Sequence, residues 1–291
     1  MSDRYIILTE SSCDLSQELV DQLGIEVLPL TFTMEGKTYP HYPDGREFSL
    51  SRFYQKMHQG VSVVTAAANV AELTEAMEIH LKQGVDVLFL CFSSGLSSTR
   101  DSCAIAAAEL RDRYPQRKIF TVDTLAACGG QGLLVYLAAQ RQKAGAAIEE
   151  VRDFTEEQKL HLAHWFTVDD LVYLKRGGRL SPTVAAVGTM LNIKPVLHVD
   201  DEGHLIALEK VRGRKASIGA MLRHMEKTAI QPEKQTVLIS HADCPEDAEH
   251  LRTLVEEQFH PRKILITEIG PIVGAHGGPG LLTLFFLAEH R

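Results

Sequence analysis

Apolar positions recur along this chain in two rhythms, one of period two and one near 3.6, and the two alternate from the first residues onward. Tyr5–Thr9 reads as a strand, and Asp14-Leu-Ser-Gln17 as a capping box opening a helix that runs to Leu23. Ile25–Thr33 reads as a second strand, with Glu35-Gly36 as the turn into Lys37–Tyr39. The loop His41–Glu47 is followed by helices over Ser49–Gln59 and Val70–Gln83. Val85–Phe92 is continuously apolar, the pattern of a strand covered on both faces. Thr99–Tyr114 reads as a helix, Lys118–Val122 as a strand and Leu125–Lys143 as a helix rich in Ala and Leu. This is the rhythm of a doubly wound sheet.

The second half reads differently. A helix over Ala147–His161 leads to a strand at Leu162–Val168, then helices over Asp169–Lys175 and Pro182–Leu191. Ile193–Val199 and Leu205–Val211 form a hairpin, with Gly203 supplying its turn. Helix Lys215–Thr228, strand Gln235–His241, helix Pro245–Gln258 and strands Lys263–Ile269 and Leu281–Leu287 complete the chain. The pattern predicts an α/β protein of two domains. Residues 1–155 form an N-terminal doubly wound, mostly parallel sheet, and 156–291 a C-terminal mixed α/β domain.

Composition narrows the class of function. The 291 residues are 45% hydrophobic and 23% charged, with a net charge of −8. That balance excludes extended disorder and gives no global positive field for nucleic acid or an anionic membrane, although a local basic patch remains allowed. The longest apolar runs fall well short of the ~20 residues that span a bilayer, so no stable membrane insertion is expected. The start runs straight into a strand without a charged lead and apolar core, so a cytoplasmic location is expected. Five widely spaced cysteines (Cys13, Cys91, Cys103, Cys128, Cys244) fit neither a disulfide framework nor a zinc ribbon.

Three stretches are candidates for chemistry. Phe92-Ser-Ser-Gly-Leu-Ser-Ser-Thr-Arg100 lies between the most apolar strand and a helix, where hydroxyls and N–H groups suit an anion. Ordinary helix capping is the competing explanation. Tyr173-Leu-Lys-Arg-Gly-Gly-Arg-Leu-Ser181 sets two glycines before Arg179, whose rigid fork of donors suits a carboxylate or phosphate. A helix C-cap flanked by cations would need less than this. Ile269–Gly280 carries His276 on a glycine-rich loop between strands, where something can dock against it. Thr65 is a weaker candidate, a residue on the approach to a helix. The pairs His161/His164 and His241/Asp243 lack a metal-ligand pattern, and the phosphate-loop and dinucleotide glycine motifs are absent. No metal or cofactor is expected.

Taken in order, these motifs resemble the DegV family of bacterial fatty-acid-binding proteins. The resemblance rests on Thr-Glu-Ser-Ser-Cys-Asp-Leu at 9–15, Ser-Ser-Gly-Leu-Ser at 93–97, the glycine-arginine motif at 173–181, Lys-Pro-Val-Leu at 194–197 and His-Gly-Gly-Pro-Gly at 276–280. It implies a two-domain α/β protein that buries a long-chain fatty acid. It also implies that some members present the carboxylate to a separate ATP-binding kinase subunit. The family's carboxylate contacts fall on Thr65, Ser97, Arg179 and His276, and its partner or phosphate contact on Arg212. Three departures from the family pattern stand out: Ala66-Ala67-Ala68 for Ser-Gln-Pro, Ser98 for glycine and Gly277 for threonine.

A serine hydrolase is the rival. Gly95-Leu-Ser97 sits on a strand-to-helix turn like a nucleophile elbow, and His276 follows late in the chain, with Asp169 or Asp243 as the acid. Against it, Thr99 replaces the elbow's last glycine, and Arg179 beside the site would depress the base. A structural module without ligand leaves the motifs unexplained.

Overall fold

The computed structural model of the chain describes residues 4–180 and 192–291. The expected helix Pro182–Leu191, and Ser181 of the glycine-arginine motif, lie outside them. The architecture is mixed α/β, with two larger sheets and a small third one.

Strands β1 (Tyr5–Glu10), β2 (Glu26–Leu28), β6 (Asp86–Cys91) and β7 (Ile119–Asp123) form a wholly parallel sheet in the order β2-β1-β6-β7. All six residues of β6 are buried, and helices α3 (Val70–Leu81), α4 (Thr99–Arg113) and α5 (Gly129–Lys143) all pack against it. The strand order reverses direction between β1 and β6, so the crevice beyond their carboxyl ends is where a ligand site belongs. Strands β3 (Thr31–Met34), β4 (Lys37–Pro40) and β5 (Val63–Ala66) make the small antiparallel sheet. The stretch expected as one strand over Ile25–Thr33 is therefore two. It breaks at Pro29, which has no N–H for a ladder, and its halves join different sheets.

The expected capping box at Asp14 is also corrected. Helix α1 (Gln17–Leu23) is capped by the Ser16 hydroxyl, which accepts the Leu19 N–H at 3.3 Å. Asp14 is buried in the left-handed region (φ 51°), closing a 3-10 turn at Ser11–Cys13. Helix α2 (Leu50–His58) is capped by Ser49, whose side chain accepts the Arg52 N–H.

Helix α6 (Ile148–Gln158) leads to the six-stranded sheet, ordered β10-β9-β8-β13-β11-β12. Its strands are β8 (Leu162–Thr167), β9 (Ile193–Val199), β10 (Leu205–Arg212), β11 (Thr236–His241), β12 (Lys263–Glu268) and β13 (Leu282–Leu287). Only β11 and β12 run parallel; the expected hairpin β9–β10 is present, with a bulge between Ala207 and Glu209. Between the strands run α7 (Val172–Arg176), α8 (Arg214–Thr228), α9 (Pro245–Phe259) and α10 (Pro271–Gly277). Helix α10 occupies what the glycine content suggests is a loop. Pro271 at its first position and Gly278 (φ 77°) just past its end bound it as a helix.

Helix α5 begins at Gly129, four residues later than its Ala/Leu content suggests, and it joins the two larger sheets. It packs on β1 and β6 and on β8, β11 and β13. A Cβ at Gly130 would lie 2.2 Å from His164 Nε2 on β8, so only glycine lets the helix come this close. One continuous apolar core runs from Ile7 and Leu88 through Leu133 to Leu197 and Phe285.

Candidate functional site

A cavity of about 150 Å³ lies between the small sheet, the loop after β6 and the six-stranded sheet. Its apolar wall includes Leu30, Phe92, Leu96, Phe166, Leu174 and Phe285, and that lining suits a small, largely apolar ligand. Thr65, Ser97, Arg179 and His276 all line it, although they come from β5, the loop after β6, the segment after α7 and α10. Arg212 does not. It is exposed at the end of β10, outside the cavity.

Thr65 is presented by the ladder, as the partner of Phe32 on β3, so it belongs to a strand and not to a helix approach. Its Oγ1 lies 2.8 Å from His276 Nε2. The other ring nitrogen, Nδ1, is buried without a hydrogen-bond partner and packs on Gly177. Burial, and then the nearby Arg179 charge, lower His276 from 6.5 to about 4, so the ring is neutral at neutral pH. A buried N–H without an acceptor is rarer than a bare acceptor. We therefore assign the proton to Nε2, which donates to Thr65 and leaves the threonine hydroxyl proton free to point at a ligand.

Arg179 completes the cluster. Its Nε donates to the Leu96 carbonyl at 3.3 Å and its Nη1 to the Gly177 carbonyl at 2.5 Å. No ion pair to it occurs among the described residues. A part-buried guanidinium thus keeps free donors and an unmatched charge beside a largely apolar cavity. Ser97 Oγ lies 3.1 Å from Thr99 Oγ1, and Thr99 in turn accepts the Ala68 N–H at 3.2 Å. That last bond anchors the chain at the last of the three alanines that stand for the family's Ser-Gln-Pro. Ser98 has ordinary right-handed backbone as the first residue of the α4 cap, so glycine is not required there. At Gly277 a Cβ would stand 2.4 Å from Leu281, which accounts for the absence of threonine.

The hydrolase arrangement is not assembled. His276 bonds Thr65 and not Ser97, and its Nδ1 has no acid behind it. Asp169 is paired with Lys194 at 2.6 Å, and Asp243 with His58 at 2.7 Å. The thiol in the cavity wall, Cys128, is held well above the usual thiol value by burial and by Asp14. Among the described residues no group of histidine, cysteine and carboxylate side chains is placed to hold a metal, and no helix is long and apolar enough to cross a membrane.

Sequence reasoning missed Ser12, Cys128, His164 and Thr283, which also line the cavity. Ser12 belongs to the 9–15 motif, so the motif itself was the available signal. The other three are polar residues in otherwise apolar surroundings and give none.

Fold and site together define an α/β protein with a largely apolar cavity and a cationic, hydroxyl-rich cluster in its wall. The model of the DegV family of uncharacterised proteins matches residues 4–289, and the chain belongs to that family. It is 43% identical over 288 residues to a DegV domain-containing protein of Clostridium perfringens, covering 99% of each chain. It is 35% identical to a relative from Streptococcus pyogenes, covering 98% of this chain and 99% of the other. Among solved structures it is similar to a fatty-acid-binding DegV protein from Thermus thermophilus (TM-score 0.88, 28% identity, 98% and 99% covered). It is also similar to DegV, a fatty acid binding protein of Bacillus subtilis (TM-score 0.85, 27% identity, 99% and 100% covered).

Proposed function

We propose that this protein binds a long-chain fatty acid, with the tail in the cavity and the carboxylate met by Thr65, Ser97, Arg179 and His276. The observation that carries the reading is the Arg179 guanidinium, without an ion pair among the described residues, in the wall of an apolar cavity next to the Thr65–His276 pair. Such a charge needs an anion, and the cavity needs an apolar chain. A fatty acid supplies both. Burying about fourteen methylenes at ~0.8 kcal/mol each gives a gross ~11 kcal/mol, from which ordering and association remove several. The tail supplies affinity and the polar cluster orientation. The fatty-acid-binding relatives from Thermus thermophilus and Bacillus subtilis support the same assignment.

The finer proposal is that the chain is a non-catalytic, cytoplasmic subunit of two domains, 1–155 and 156–291. It presents the bound carboxylate to a separate ATP-binding kinase subunit, with Arg212 meeting that partner or the new phosphate. Mass spectrometry of lipid extracted from the purified protein tests the first step. A long-chain fatty acid should be recovered from the wild type and be depleted in Arg179→Ala. Recovery of no acyl lipid, and no uptake of added fatty acid, would overturn the reading.

A further inference from the structure

The motif at residues 9–15 contributes Ser12 to the cavity wall, but one of its two buried acids, Asp14, neither lines the cavity nor touches the polar cluster. Asp14 Oδ1 accepts the Gly270 N–H at 2.9 Å, across 256 residues of chain. Gly270 is the N-cap of α10, the helix that carries His276. One residue earlier, the Ile269 carbonyl accepts the buried Tyr54 hydroxyl at 2.6 Å. The Ile269–Gly270 peptide is therefore held on both its carbonyl and its N–H by side chains from the N-terminal half. From there the helix ladder continues. Gly274 N–H donates to the Gly270 carbonyl, and Gly278 N–H to the Gly274 carbonyl, each at 2.8 Å. Helix α10 has only seven residues, too few to hold its own geometry.

We propose that Asp14 and Tyr54 are positioning residues for His276: by gripping the Ile269–Gly270 peptide they set the place of α10, and with it the 2.8 Å contact between His276 and Thr65. The inference rests on the fatty-acid reading above. A hydrogen bond weakens steeply when misaligned, whereas burial of a tail is non-directional. Loosening α10 should therefore cost carboxylate recognition far more than tail binding.

Competition against a fluorescent acyl probe, with palmitic acid and hexadecanol as competitors, separates the two. Tyr54→Phe and Asp14→Ala should each weaken palmitic acid about tenfold, as for one lost hydrogen bond. Hexadecanol, which has the same chain without the carboxylate, should change less than about threefold. Asp14→Asn keeps an oxygen for the Gly270 N–H and should stay close to the wild type. In a His276→Ala background, Tyr54→Phe should have no further effect on palmitic acid. Equal losses for acid and alcohol in Tyr54→Phe, or an undiminished effect without His276, would overturn the proposal. Tyr54→Phe removes a single oxygen, so it decides the matter even where Asp14→Ala does not fold. A wild type that binds neither competitor would instead overturn the fatty-acid reading.

Discussion

Gly177 sits at the Nδ1 edge of the His276 ring: a Cβ there would stand 2.3 Å from Nδ1. The φ of Gly177 is an ordinary −73°, so the glycine is needed for space and not for backbone freedom. Gly178 beside it has a φ of 69° and is needed for the turn itself. Two adjacent glycines thus do different jobs.

Gly177→Ala should displace His276 from Thr65 while leaving the backbone of α7 relaxed. Fatty-acid affinity should fall about tenfold or more, with a stability loss of about 1–3 kcal/mol from overpacking. Equilibrium binding and thermal melting on one preparation check this. An alanine variant with wild-type affinity would show that the ring has room to move.

Titration of buried groups sets how stability varies with pH. Burial holds His41, His198 and His276 at about 4, against 6.5 when unfolded. The unfolded chain then binds more protons between those values, so stability falls as pH drops from 6.5 towards 4. Glu10 and Asp14 are pushed by burial up to about 7 and about 8, from 4.5 and 3.8. Here the folded chain binds more protons, so their stabilising contribution is full below about 4 and is lost as pH rises through 7 and 8. The melting temperature should peak between about pH 5 and 7. Glu10→Gln removes its downward slope between about pH 4.5 and 7, so the rise in stability from 4.5 to 6.5 should steepen, while the loss above 7 is left to Asp14.

How much of this was legible beforehand depends on where the information lies. Strand β6 is legible because a run buried on both faces has no polar positions, and α3 because its cap and period agree. Ile25–Thr33 misleads because the apolar pattern continues through Pro29, while the chain changes sheets there. Helix α10 is hidden by its glycines. They admit Tyr54 and Leu281 at close range, a tertiary demand that no local propensity records. Thr65, Ser97, Arg179 and His276 were found as a set through family resemblance, since spacing alone does not bring distant loops together. The role of Asp14 was misread because a capping residue and a buried brace use the same carboxylate chemistry.

Trp165 is the chain's one tryptophan. Its neighbours on β8, His164 and Phe166, line the cavity, so strand alternation turns the indole to the opposite face. There it stacks on His198, with ring centres 5.1 Å apart, and on His224, 3.5 Å apart. Saturation with fatty acid should leave tryptophan emission unchanged, while His224→Gln should raise it by removing a stacked quencher. A ligand-dependent change in emission would show that binding reaches across the sheet.

The basic run Lys210-Val-Arg-Gly-Arg-Lys215 contains cations of two kinds. Arg214 is part-buried; its Nε bonds Asp247 at 2.8 Å and its Nη1 lies 4.0 Å from Asp169. Arg214→Ala should cost up to about 1 kcal/mol of stability, chiefly through the lost Asp247 contact, since Asp169 keeps Lys194. Lys210, Arg212 and Lys215 are exposed and make no ion pair among the described residues. Arg212→Ala should therefore leave both stability and fatty-acid affinity unchanged. If the protein hands its ligand to a kinase subunit, the same variant should slow phosphorylation, and more so at low salt, because exposed rim charge acts on encounter. Lipid binding lost in Arg212→Ala would place the residue in the fold or the cavity. Phosphorylation equal to the wild type at every salt concentration would leave it a solvated charge.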